Sequence, residues 1–258
     1  MENLIYRTDG RIGYLTLNRP ESYNAFDQGL IHEFERFWSD RRYDESVGVI
    51  ILDGGGAKGF CAGLDMKSFG PEIFEKPLTK AYDAQARMAR LLLAMRRAPQ
   101  PIIACVHGAA SGLGFSIAMA SDIRIITQDA RFNAAYINIG LGGADMASSY
   151  FLPRLIGVGR AYEFLLTGNW MSAEDAMALG FASRKVDSKD ELLPAAREIA
   201  DIMVSKTPLG LRMTKEAINI SLDAGGLEAC LQMEDRNQMM VMASLKLDAM
   251  GGKKEGDK

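Results

Sequence analysis

Two stretches rich in small residues are the first candidates for chemistry. Residues 101–122, PIIACVHGAASGLGFSIAMASD, run from the apolar segment Ile102 to Val106, through His107 to Gly114, into an apolar stretch from Phe115 to Ala120. The spacing predicts a buried strand, a close-packed turn and a buried helix. A helix start leaves its first N–H groups unpaired, and its dipole favours negative charge. Such a turn can therefore hold an anion or an oxyanion that develops during a reaction. A second stretch, Phe60-Cys61-Ala62-Gly63-Leu64-Asp65, follows the apolar run Val47 to Asp53. Carboxylates lie among small residues at Asp65 and at Asp145, the latter in Gly140-Leu141-Gly142-Gly143-Ala144-Asp145-Met146. Structural roles compete at each: Asp65 as a loop anchor, Asp145 as the N-cap of a helix spanning Ala144 to Leu155, and His107 as a packing or hydrogen-bonding residue. Gly54, Gly56 and Gly59 match G-x-G-x-x-G, but no helix opens directly from them and no acidic strand end follows. No Ser-His-Asp order, metal-ligand cluster or basic-aromatic patch for nucleic acid stands out.

The elements that must position these residues follow from periodicity. Ile12 to Leu17 and Val47 to Asp53 read as strands, as do Ile123 to Ile126, Arg131 to Phe132 and Arg184 to Val186. Helices are expected from Gln28 to Arg42 and from Lys80 to Arg97, where Ala81, Ala84, Met88, Leu91, Leu92 and Met95 share one face. Phe69 to Lys80, with two prolines, reads as a loop. Ser172-Ala173-Glu174-Asp175 predicts an N-cap and Gly180 a helix stop. Beyond residue 191 only helical stretches follow, and the composition shift near 195 divides an α/β part, 1–195, from a helical part, 196–258. A polar tail, Gly251 to Lys258, is expected to be disordered.

A chain of 258 residues can bury one substantial core, and 48% apolar with 24% charged residues is ordinary for a globular protein. A net charge of −3 argues against nucleic acid or an anionic membrane as the main partner. Three cysteines without metal-ligand spacing fit reduced thiols in a cytoplasmic protein, and no apolar run reaches membrane-spanning length.

With Asn18-Arg19-Pro20…Asn24-Ala25 and Leu165-Leu166-Thr167-Gly168…Ser172-Ala173-Glu174-Asp175-Ala176…Gly180, the two small-residue stretches resemble the enoyl-CoA hydratase/isomerase (crotonase) superfamily over residues 5–220. The resemblance implies an α/β fold, a crotonase-like spiral of ββα turns, with a C-terminal α-helical region that assembles trimers or hexamers. It implies an acyl-CoA thioester as substrate, coenzyme A being part of that substrate rather than a separate cofactor. It also implies an oxyanion hole of two backbone amides, assigned by motif to Ala62 and Leu113, with Cys61, Gly63, Leu64, Asp65 and Gly112 in the binding stretches. Losing one such donor costs about 3 kcal/mol of barrier in other enzymes.

Family hydratases carry a glutamate at each of two positions that here hold Ser116 and Tyr136. A hydroxyl and a phenol of pKa about 10 do not readily replace a pair of carboxylates. Some members of the superfamily use an aspartate in the region of Asp145. Hydratase or isomerase chemistry is thus expected with Asp145 moving the proton and Ser116 and Tyr136 placing water or substrate. Hydrolysis or carbon–carbon cleavage of a CoA thioester or β-dicarbonyl compound using Asp145 stays open, as does an acyl-CoA-binding protein without catalysis. Met239, Met240 and Met242 are expected to pack against another element or subunit.

Overall fold

The computed structural model describes residues 2–251. In sequence order, β1 (Leu4–Asp9) and β2 (Ile12–Leu17) form a hairpin that leads to α1 (Gln28–Arg41) and β3 (Val49–Asp53). The helices α2 (Met66–Phe74) and α3 (Leu78–Arg97) precede β4 (Ile102–Val106), β5 (Ala109–Ser111) and α4 (Leu113–Ala120). Next come β6 (Ile123–Thr127), β7 (Arg131–Asn133), α5 (Ser148–Ile156), α6 (Val158–Thr167), α7 (Ala173–Ala178), β8 (Arg184–Val186) and α8 (Leu192–Val204). The strands form a sheet in the order β1-β2-β3-β4-β6-β8, parallel apart from the first pair, and a small parallel pair β5-β7.

Alternation along the central strands explains their continuous apolar composition. Ile50 and Leu52 of β3, with Ile102, Ala104 and Val106 of β4, face a core completed by α1, α3 and α4. Val49, Ile51, Ile103, Cys105 and Ile125 face the other way, onto Leu192, Ala195, Ala196 and Ala200 of α8. Both faces are covered, so both registers of the period-two pattern are apolar.

This packing moves the boundary between the two parts. The first compact unit runs to Val204 rather than ending at 195, because α8 is the layer that covers the second face of the sheet. The second unit holds α9 (Pro208–Ser221) and α10 (Leu227–Gly251), which pack on each other. Within the single chain Met239, Met240 and Met242 stay exposed. The expectation of a disordered tail falls on 252–258, outside the described residues. No described helix is long and apolar enough to cross a membrane.

Three local readings change. Residues 69–80 are largely helical, since the Asp65 carboxylate caps α2 through the amides of Lys67 and Ser68 and Phe69 is buried. The turn after β4 contains the strand β5, which pairs with β7 and bridges to Cys61. The helix after Asp145 starts only at Ser148.

Candidate active site

The site begins where the two small-residue stretches meet. Cys61 pairs with Ala110: its N–H donates to the Ala109 carbonyl at 3.1 Å, and its own carbonyl accepts from Ser111 N–H at 2.9 Å. This brings backbone against backbone. A Cβ on Gly63 would lie 2.9 Å from the Ser111 carbonyl oxygen, and one on Gly114 would overlap the Cys61 carbonyl oxygen. No side chain fits at either position without moving the main chain. The loop 19–25 closes the arrangement from behind. Asn24, fully buried, donates from Nδ2 to the carbonyls of Gly54 and Phe60 at 2.8 and 2.9 Å and accepts the Arg19 amide on Oδ1 at 2.9 Å. That accounts physically for the Asn-Arg-Pro…Asn-Ala motif.

The amides do not face where the motif assignment put them. Ala62 N–H donates to the Tyr23 carbonyl at 3.0 Å, so it is already paired. Gly63, at φ +99°, reverses the alternation that an ordinary strand would keep. As a result Phe26 N–H donates to the Gly63 carbonyl at 2.8 Å and Asp65 N–H to the Phe26 carbonyl at 3.0 Å. Between them the Leu64 N–H points the other way and finds no acceptor among the described residues. The Leu113 N–H opens α4 behind Gly112, which offers no capping side chain, and the Leu113 nitrogen lies 3.4 Å from where a Gly63 Cβ would be. The open pair is therefore Leu64 and Leu113, and the assignment to Ala62 is corrected.

Cys61, Asp65 and His107 are structural in this arrangement. Burial pushes the Cys61 thiol up to about 12, and its Sγ bonds the Asn24 carbonyl at 3.1 Å. Asp65 caps α2 and pairs with Arg19 at 3.4 Å. His107 is held neutral by burial, with Nε2 at 2.8 Å from the Ala57 carbonyl.

The ionisable half of the site hangs on the loop 140–147. Asp145 is no helix cap: the N-cap of α5 is Ala147, whose side chain has no oxygen to offer. Met146 and Ala147 adopt left-handed conformations, φ 46° and 61°, which cost on the order of 1–3 kcal/mol each in non-glycine residues. This strained turn directs the Asp145 carboxyl back onto its own loop and onto α3. Oδ1 accepts the Met146 amide at 2.7 Å and the Gln85 side-chain amide at 2.5 Å. Oδ2 has no partner among the described residues. Burial raises the Asp145 carboxyl above the usual carboxylate range, and those two donors partly offset it. The backbone of Asp145 is tied down as well. Its N–H donates to Ser148 Oγ at 3.1 Å, and its carbonyl accepts the Tyr136 hydroxyl at 3.2 Å.

Tyr136 links this loop to α4. Burial pushes its phenol up to about 12, so it stays protonated. The Ser116 hydroxyl, one turn after Leu113, lies near enough to lower that value slightly without completing a hydrogen bond. Ser116, Tyr136 and Asp145 thus stand in one chain of neighbours running from the start of α4. Gln85 and Ser148 were missed from the sequence. A glutamine beside the apolar stripe of α3 carries no signal of its own, and its partner lies 60 positions away. Beside Ala62 a cavity of about 460 Å³ is lined by Tyr23, Lys58, Gly59, Asp129 and Arg131 among others.

A chain with these paired strand-turn segments and this sheet order belongs to a defined class. A profile of the enoyl-CoA hydratase/isomerase family matches residues 7–254, and this chain belongs to that family. It is 40% identical over 233 residues to the probable enoyl-CoA hydratase echA12 of Mycobacterium bovis, covering 89% of this chain and 81% of that protein. The crystal structure of a probable enoyl-CoA hydratase/isomerase from Mycobacterium abscessus superposes with a TM-score of 0.86 at 34% identity, covering 98% of this chain and 96% of that one. A monofunctional enoyl CoA isomerase from M. smegmatis superposes with a TM-score of 0.75 at 34% identity over 90% of this chain and 99% of that one.

Proposed function

We propose that this protein acts on enoyl-CoA thioesters and shifts the carbon–carbon double bond with Asp145 as its one base. The observation that carries this is that, among the described residues, Asp145 is the carboxylate that stands beside Tyr136 with an oxygen unpaired while Asp65 is tied up as a cap. Both positions flanking the open amides are non-ionised, Ser116 and a phenol held near 12, while Asp145 leaves Oδ2 free. Hydration needs a water held and activated while a proton reaches carbon, work suited to two carboxylates. A double-bond shift needs one base that removes a proton from one carbon and returns it to another. As Oδ2 takes the proton, electrons move onto the thioester oxygen, where the amides of Leu64 and Leu113 stabilise the developing charge. Lys58 and Arg131, which line the neighbouring cavity, suit the phosphates of coenzyme A. The exposed Met239, Met240 and Met242 on α10 fit a surface covered by further copies in a trimer or hexamer. Reduced cysteines and the substrate class fit the cytoplasm.

The test offers the purified protein 3-enoyl-CoA and 2-enoyl-CoA substrates of matched chain length. Conversion of the 3-enoyl to the 2-enoyl thioester is expected, with Asp145→Asn slowing it by about 10²–10⁴-fold while acyl-CoA binding persists. Formation of 3-hydroxyacyl-CoA without a double-bond shift, or binding without turnover, would overturn the reading.

A further inference from the structure

We infer that Gln85, on α3, is a positioning residue that fixes which oxygen of Asp145 faces the substrate; the inference rests on the reading of Asp145 as the base. Gln85 Nε2 donates to Asp145 Oδ1 at 2.5 Å, and the Met146 amide donates to the same oxygen at 2.7 Å. Two donors on one oxygen pin the carboxylate plane and leave the lone pairs of Oδ2 as the free base. The Met146 bond comes from a neighbouring residue on the same strained turn and moves with it. Gln85 is different, because α3 is anchored in the core by Met88, Leu91, Leu92 and Met95. It ties an exposed loop, whose Leu141 faces solvent, to a fixed helix.

The choice of glutamine has a chemical consequence. A side-chain amide donates without carrying charge, so it supports the ionised form of a carboxyl that burial would otherwise neutralise. A lysine or arginine there would hold the carboxylate too firmly charged to accept a proton readily. Among the described residues Tyr136, from the turn before the loop, is the titratable group whose charge couples to Asp145, and it stays protonated through the working range. Ser148, from α5, faces the backbone of Asp145 and does not titrate.

Gln85→Leu and Gln85→Glu test this in the full-length enzyme, on whichever enoyl-CoA the wild type turns over. Gln85→Leu should lower kcat by about 10–100-fold with KM within about twofold, the scale expected for one charge-assisted hydrogen bond. The acid limb of its kcat profile should move to higher pH, since the donor that favours the carboxylate is gone. Gln85→Glu, of the same shape, should move that limb further upward, because two carboxyls at this spacing share a proton. Thermal melting of both variants establishes that they are folded. A folded Gln85→Leu with wild-type kcat and an unmoved acid limb overturns the inference. Asp145→Asn, assayed beside Gln85→Leu, separates the two readings. If Asp145→Asn alone is fully active, the base is misassigned. If it is inactive while Gln85→Leu is not, only the positioning role fails.

Discussion

Around Gly63 and Gly114 the chain packs main chain against main chain, buried, with hydrogen bonds running from β5 to Cys61 and from the loop 23–26 to residues 62–65. The loop that carries Asp145, by contrast, has Leu141 exposed, two left-handed non-glycine residues, and a carboxylate steered by a side chain from α3. The first region offers N–H groups, which every residue but proline possesses, so leucine serves at positions 64 and 113. What it does not tolerate is a Cβ at its glycines. The second offers, on the proposed function, a proton carrier, which only certain side chains can be, and its orientation depends in part on Gln85, which the loop itself does not contain. The main chain of the first region accepts many side chains at 64 and 113, whereas the second depends on the identity of one side chain and also packs closely at Gly143, where a Cβ would overlap the Leu165 carbonyl oxygen.

The largest effect that would break this contrast is expected on the packed side. Gly114→Ala should lower stability by about 1–3 kcal/mol, since overpacking forces the main chain apart. The same displacement should cost about 10²–10³-fold in kcat by misdirecting the Leu113 amide. Chemical denaturation and turnover on the same preparation would check both. A Gly114→Ala enzyme with wild-type melting and rate would show that the close approach of Cys61 and α4 is not needed.

Tyr136→Phe sharpens the comparison on the loop side. It removes the hydroxyl that holds the Asp145 carbonyl, so a stability loss of about 0.5–1.5 kcal/mol is expected with only a few-fold loss of turnover. Were turnover to drop as far as in Asp145→Asn, the phenol itself would be the proton carrier. Ser116→Ala should do least. Its hydroxyl is buried without a hydrogen bond, and removing such a group is neutral or stabilising by up to about 1 kcal/mol. Activity should stay within about twofold. A tenfold loss in acyl-CoA turnover would place the Ser116 hydroxyl on the substrate.

Much of the frame was legible before any coordinates. β2, β4 and β8 fall on the predicted runs, and the Ser172–Asp175 cap forms as a reciprocal pair, with Asp175 N–H to Ser172 Oγ at 3.1 Å and Ser172 N–H to the Asp175 carboxylate at 3.2 Å. The segment 69–80 was misread because its prolines outweighed, on paper, a cap at Asp65 and an anchor at Phe69. The cap that competed for Asp145 as a structural role fails for a similar reason. The neighbours of Asp145 suggest a helix start, while the structure delays that start to Ser148 through two left-handed residues that no local preference favours.

Strands, caps and glycine turns depend on residues within a few positions of one another, and the sequence by itself determined these. The family resemblance further implied that two glycine-bearing turns would meet and that neither usual glutamate is present. Only the tertiary structure decided which amides stay open, because the direction of an N–H at 62 or 64 depends on the φ of Gly63 and on carbonyls supplied by residues 23 and 26. Only it decided how the carboxylate is held, because Gln85 and Asp145 meet across 60 positions through the packing of α3 on the core. Local stereochemistry can be read from neighbours along the chain, but orientation is a property of contacts between segments.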